Sequence, residues 1–201
     1  MIDLFLKGGV RMYPLAACSL IALAIIIEKS VEFWRARSDR ACTEAVLRAA
    51  AARDWPRAGS LAQGDDSPLG RLLASALAGR GLPAADLENR LSRQGSRELK
   101  RLGRSLHLLE LIGRISPMLG LTGTVTGLTR AFQTVAALRQ VSDPSLLASG
   151  IWEALITTVA GLFIGIPTII AHHLLDNRLK SLAFDWKTAA EELVAAMTEG
   201  A

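Results

Sequence analysis

The sequence is short of nearly everything that soluble chemistry uses. Of 201 residues only two are cysteine and three histidine, and aromatic residues make up 5%. Cys18 and Cys42 stand too far apart along a helical path to bridge, and no Cys-x-x-Cys pair offers a zinc or redox site. A disulfide scaffold and a thiolate metal centre are thereby excluded. His172 and His173 are adjacent, and neighbours on a helix point about 100° apart, a poor chelating pair. Anchoring at a membrane interface suits them better; a metal or haem protein built on them is a remote alternative. No Ser/His/Asp set, phosphate loop, strand alternation, internal repeat or low-complexity tract is present. The chain therefore reads as a non-enzyme with no cofactor and no metal. Its basic residues are not interleaved with aromatics, so the net charge of +4 is no sign of nucleic-acid binding.

Charge itself is missing from three segments. Met12–Ile27 has none, Ile115–Leu138 has only Arg130, and Leu146–Leu175 has only Glu153 besides the two late histidines. About 20 residues of helix cross a bilayer core, so each segment is a candidate span, the first with least margin unless Gly8-Gly9-Val10 joins it. The expected fold class is an all-α membrane protein with three transmembrane helices extended into a cytoplasmic helical domain. Its divisions are an interfacial segment (1–9), span 1 (10–28), a cytoplasmic region (29–112), span 2 (113–138), a short periplasmic loop (139–149), span 3 (150–175) and a cytoplasmic C-terminal helix (176–201). Orientation follows from basic residues beside the spans: Glu28–Arg114 holds sixteen Lys/Arg against eleven Asp/Glu, whereas Arg139–Ser149 holds one of each. The N-terminus is thus expected in the periplasm and the C-terminus in the cytoplasm. Leu15-Ala16-Ala17-Cys18 resembles a lipoprotein processing box, but its apolar run follows the Cys instead of preceding it, so no cleavage is expected there.

Between the spans the pattern is helical. Ile2–Lys7 suits a short interfacial helix, and Pro14 falls in the first turn of the opening span, where a missing N–H does no harm. Glu28–Arg53 lacks both glycine and proline, which predicts a helix continuing past the membrane surface. Gly64-Asp65-Asp66-Ser67-Pro68 and Gly79-Arg80-Gly81-Leu82-Pro83 are turns flanking a short helix over Leu69–Ala78. From Ala84, leucines at 87, 91, 99, 102, 106 and 109 mark a long amphipathic helix leading into span 2. Asp143-Pro144 reads as the start of the next helix, which runs on through the tail.

Spans 2 and 3 carry the residues of interest. A carboxylate inside a spanning helix costs roughly 2.5–3.5 kcal/mol, so Glu153 is a functional candidate by default. Two bland readings stand beside it: an ion pair with Arg130, or a shallow position near the start of the helix. On a helical wheel Glu153, Thr157, Ala160, Gly161, Ile164 and Thr168 share a face, with Thr158 toward its edge. In span 2, Thr122, Thr126, Thr129 and Gln133 lie on one side and Thr124 on the other, with Gly120 and Gly127. The small-xxx-small pairs Gly123…Gly127 and Gly161…Gly165 allow backbones to approach closely. Pro167 is placed to free the Phe163 carbonyl and kink its helix, and Pro117 is placed to do the same near the cytoplasmic mouth. For any one threonine, back-bonding to its own helix is the ordinary alternative to a functional role.

Three stretches then resemble a known family: Gly9-Val10-Arg11-Met12-Tyr13-Pro14; Pro117-Met118-Leu119-Gly120-Leu121-Thr122-Gly123-Thr124-Val125-Thr126-Gly127-Leu128 with Ala131-Phe132; and Gly150-Ile151-Trp152-Glu153-Ala154-Leu155-Ile156-Thr157-Thr158 with Gly161-Leu162 and Ile166-Pro167. They are similar to the signatures of the MotA/TolQ/ExbB proton-channel family, its ExbB/TolQ branch best. The resemblance implies an inner-membrane homo-oligomeric ring, usually a pentamer, around the transmembrane helices of a dimeric ExbD- or TolR-like single-span partner. Such a complex uses the proton gradient to drive work at the envelope through a TonB- or TolA-like protein. By position, Glu153 corresponds to the family's third-span glutamate, and Thr124 and Thr158 to the threonines facing the partner's proton-carrying aspartate, with Thr157 beside them. The expected function is that of an ExbB-like stator or motor subunit energising TonB-dependent transport. A TolQ-like subunit or a gliding-type motor is the nearest alternative, and a structural scaffold without proton conduction is the alternative of another class.

Overall fold

A computed structural model describes residues 12–36, 40–137 and 144–198. Within them the chain is all helix and turn, 91% helical with no strand. Seven helices follow one another: α1 Met12–Arg35, α2 Arg40–Ala51, α3 Trp55–Gln63, α4 Pro68–Ala78, α5 Ala84–Gly103, α6 Leu106–Ala137 and α7 Pro144–Thr198. The expected interfacial helix over Ile2–Lys7 and the Asp143 cap lie outside the described residues, as do the links at 37–39 and 138–143. From Pro144, its first described residue, α7 continues unbroken for 55 residues.

The stretches Met12–Ala51 and Ala148–Thr198 are long and apolar enough to cross a membrane. α6 falls short of that mark by composition. Four threonines, three glycines and Arg130 dilute its apolar content between Ile115 and Phe132. The expectation of three spans is thus met by length and composition in two of its helices.

The described residues fall into two compact units, each assembled from separated stretches of chain. The first takes residues up to Ile27 together with Ser105–Leu174, and the second takes Glu28–Arg104 together with the residues from Leu175 onward. In the second unit, turn chemistry sets the helix starts. The Ser67 hydroxyl accepts the Gly70 N–H at 3.0 Å and Pro68 fills the first turn of α4, while the Asp65 carboxylate accepts the Ser67 N–H at 2.8 Å. A side chain at position 70 would strike Asp65, so glycine is required there. α3 was not foreseen from the helical pattern. Its signals are Asp54, which caps the Arg57 N–H at 3.2 Å, and Pro56 in the first turn. The turn before it is closed by Arg53 in the left-handed region, φ 61°, a conformation that L side chains enter at a cost of roughly 1–2 kcal/mol.

The core of the second unit is built from small and branched apolar residues: Val46 and Ala50, Ala58 and Ala62, Leu69, Leu72, Leu73 and Ala76, Leu87, Leu91 and Leu102, and Trp186, Leu193 and Val194 of α7. Lys29 is 3% exposed and is held by Glu32 one turn on, at 2.5 Å. The indole N–H of Trp186 is buried with no hydrogen-bond partner among the described residues. Neither Cys18 nor Cys42 forms a disulfide among the described residues, and the Cys42 thiol donates to the Leu61 carbonyl at 3.7 Å.

Candidate functional site

Small residues recur every three or four positions along both apolar helices of the first unit. On α6 these are Gly113, Ser116, Gly120, Gly123, Gly127 and Ala131, all buried. On α7 they are Gly150, Ala154, Thr157, Gly161, Gly165 and Thr168. A 3.6-residue helix brings each set onto one stripe, and with so little side chain the two stripes meet backbone to backbone. The pairing is antiparallel and keeps one register over about five turns. Gly113 lies against Ile169, Gly165 against Pro117, Gly161 against Gly120, Gly123 against Thr157, Gly127 against Ala154, and Gly150 against Ala131.

The closest approach is at the glycines. A Cβ added to Gly161 would lie 2.5 Å from the Ser116 carbonyl oxygen and 3.0 Å from the Gly120 Cα. One added to Gly120 would lie 2.9 Å from the Thr157 carbonyl oxygen. The approach lets a side chain bond across the seam: the Thr158 hydroxyl donates to the Gly120 carbonyl at 3.0 Å. Every other span hydroxyl with a described bond serves its own helix. Thr122 donates to Met118, Thr124 to Leu121, Thr126 to Thr122, Thr129 to Val125 and Thr168 to Ile164, at 2.6–2.9 Å. These five hydroxyls make the bond ordinary for threonine in an apolar helix, and Thr158 departs from that pattern.

Thr157 holds a place the sequence reading did not foresee. It is completely buried, donates to the Ala154 carbonyl at 2.7 Å, and fills the space left by Gly123. Its hydroxyl is part of the packing seam itself. Gly113, Ser116, Ala131, Gly150 and Ala154 also belong to the seam and were not singled out. The signal was present, since they extend the small-residue spacing a turn or more beyond each GxxxG pair.

The prolines lie differently. Pro117 packs its ring against Gly165, whereas Pro167 is exposed on the far side of α7. Both helices run on through them.

Glu153 lies beside the seam next to buried Ala154, half-buried. Arg130 is exposed, next to buried Ala131. Neither side chain has an ion-pair or hydrogen-bond partner among the described residues, so the Glu153–Arg130 pair weighed from the sequence is not formed within the chain. Thr124 is half-buried on the side of α6 that also carries Gly120 and Gly127. His172 is buried and packs edge to face on His173, ring centroids 5.4 Å apart. Among the described residues the arrangement offers one carboxylate without a counter-ion beside two helices that touch through their backbones.

Comparison with known proteins covers the same residues. The profile of the MotA/TolQ/ExbB proton channel family matches residues 64–188, which contain the whole seam. An ExbB-like biopolymer transport protein of Synechocystis sp. is 33% identical over 195 residues, 94% of this chain and 75% of that protein. The biopolymer transport protein ExbB of Salmonella typhimurium is 30% identical over 181 residues, 85% of this chain and 73% of its own length. The Tol-Pal system protein TolQ of Pseudomonas aeruginosa is 40% identical over 100 residues, half of this chain and 43% of that protein. With a profile spanning more than half the sequence and relatives matched along nearly all of it, the chain belongs to the MotA/TolQ/ExbB proton channel family.

Proposed function

We propose that this chain is an ExbB-like stator or motor subunit of a proton-driven complex in the bacterial inner membrane. In this reading α6 also crosses the membrane, as span 2, its threonines facing protein instead of lipid. The N-terminus lies in the periplasm and the 29–112 region and C-terminal tail lie in the cytoplasm. Copies of the chain form a ring, a pentamer by family resemblance, around the spans of an ExbD- or TolR-like partner dimer. A TonB- or TolA-like protein then carries the work to the outer membrane. The chain makes and breaks no covalent bond; its task is to line a path whose decisive acid belongs to the partner.

The observation that carries this reading is Glu153, a carboxylate without a counter-ion among the described residues, in an apolar helix that meets its neighbour backbone to backbone. A charge so placed is costly unless it faces a polar path or another chain. Thr124 and Thr158 fit the role of hydroxyls that meet the partner's aspartate. Thr157 enters the reading as the residue that sets the helix spacing on which that path depends. Service to a TonB-type system is favoured by the length of the match to ExbB, 85% of the chain. A TolQ-like role is the second reading, supported by 40% identity to a TolQ protein over 100 residues.

The test is a set of three variants in cells that carry the neighbouring partner gene. Glu153→Gln, Thr124→Val and Thr158→Val are each expected to reduce proton-driven activity while the subunit still co-purifies with its partner. Full activity in all three would refute the assignment.

A further inference from the structure

Glu153 and Arg130 are the two full charges in the apolar stretches of α6 and α7, one of each sign, and neither is paired among the described residues. They stand at nearly one depth. Gly127 lies against Ala154 and Ala131 against Gly150, so Glu153 is level with position 128, two residues from Arg130. At 1.5 Å per residue the offset along the helix axes is about 3 Å. The hydroxyls nearest Arg130 along its helix do not serve it: Thr126, Thr129 and Thr134 all donate to carbonyls of α6.

We infer that Arg130 of one copy of the chain is the counter-ion of Glu153 in the adjacent copy, so that the ion pair closes at each interface of a ring. The inference rests on the membrane-spanning, oligomeric reading above. Two physical arguments carry it. The first is geometric: copies related by rotation about an axis normal to the membrane keep every residue at its own depth. Two side chains level within one chain are therefore level across every interface of the ring. The second is stoichiometric. A ring uses heterologous interfaces, each presenting two different surfaces, so one Arg and one Glu per chain are matched with none left over. A different partner would have to supply carboxylates and cations in numbers matched to the ring. Leaving either charge unpaired in the apolar layer is the costly arrangement that this pairing removes.

The test is an exchange of charges between chains. Arg130→Glu places two carboxylates in every chain, and Glu153→Arg places two cations, so either variant expressed alone is expected to lose its oligomer. The two variants co-expressed with different affinity tags are expected to purify together and to recover assembly in large part, because each interface between unlike chains matches a Glu with an Arg, while a ring of odd number keeps one interface between like chains. The doubly exchanged chain, Arg130→Glu with Glu153→Arg, is expected to assemble by itself. Its assembly, with membrane levels measured for every variant, shows that the substitutions are tolerated by the fold. If the doubly exchanged chain assembles and the co-expressed single variants do not, the pair lies within one chain and the inference is overturned. Oligomers undiminished in both single variants would overturn it equally. The assay reads assembly without a proton gradient, so its failure is separable from loss of the proton-path role, which the Glu153→Gln activity measurement reads.

Discussion

Replacing Gly161 by alanine asks whether the seam between α6 and α7 is held by backbone contact. The new Cβ would stand 2.5 Å from the Ser116 carbonyl oxygen, where ordinary contact begins near 3.4 Å, so the helices must part locally by about 0.9 Å. A gap of that size forfeits roughly a quarter to a half of the dispersion energy of the atoms it separates. It also stretches the Thr158–Gly120 hydrogen bond from 3.0 Å to beyond bonding distance; such a bond in a membrane contributes about 0.6 kcal/mol on average and up to about 1.7. Overpacking of this kind costs about 1–3 kcal/mol. Alanine's better helix propensity returns up to about 1 kcal/mol, leaving a net destabilisation of roughly 1–3 kcal/mol once the lost bond is included. For a chain of this size that lowers the thermal midpoint by roughly 2–12 °C. The assay is thermal unfolding of the purified protein in detergent. Gly59→Ala serves as the control, because a Cβ there meets nothing within 4 Å in the interior of α3, and the same propensity term should raise the midpoint. If Gly161→Ala were as stable as the parent while Gly59→Ala gained, the helices would not be in backbone contact and the seam would be refuted.

Two further outcomes follow from the same contacts, and both are read by thermal unfolding in detergent. Thr158→Val removes a hydroxyl bond that crosses the seam and is expected to cost about 0.6–1.7 kcal/mol, whereas Thr124→Val removes a bond within its own helix and should be near neutral; equal losses would count against the distinction. Trp186→Phe removes an indole N–H that is buried without a partner, so relief of about 1–3 kcal/mol offsets much of the lost packing, while Trp186→Ala should cost about 3–5 kcal/mol; a large loss in the Phe variant would mean that the N–H is bonded in solution.

Much of this architecture was legible in the sequence because it depends on local chemistry. Ser67-Pro68 and the glycine at 79 mark α4, and the leucine spacing from Ala84 marks α5, since caps, turns and amphipathic periods are written in neighbouring residues. α3 was missed because nine residues with a single capping aspartate give little periodicity to read. The glycines of the seam could be named, but their register could not. Spacing shows which residues share a stripe on one helix; which turn of the partner they meet is decided by the fit of two surfaces. That is why Thr157 was read as part of a lining and is found as a filler against Gly123, and why an ion pair between Arg130 and Glu153 was a fair expectation that the single chain does not realise.

The division of the chain into two units has a consequence for how the protein is made. Neither unit is continuous: the first needs residues before Ile27 and then Ser105–Leu174, and the second needs Glu28–Arg104 and then the residues after Leu175. During synthesis the first helix must wait for its partners, and α2 to α5 must wait through the 70 residues of Ser105–Leu174 before Trp186, Leu193 and Val194 arrive to complete their core. At ribosomal speeds of about 5–20 residues per second that interval lasts roughly 4–14 s. Throughout it Leu72, Leu87 and Leu91 lack their last covering helix, so the nascent chain is at its most vulnerable to proteases and chaperones while its final helix is still being translated.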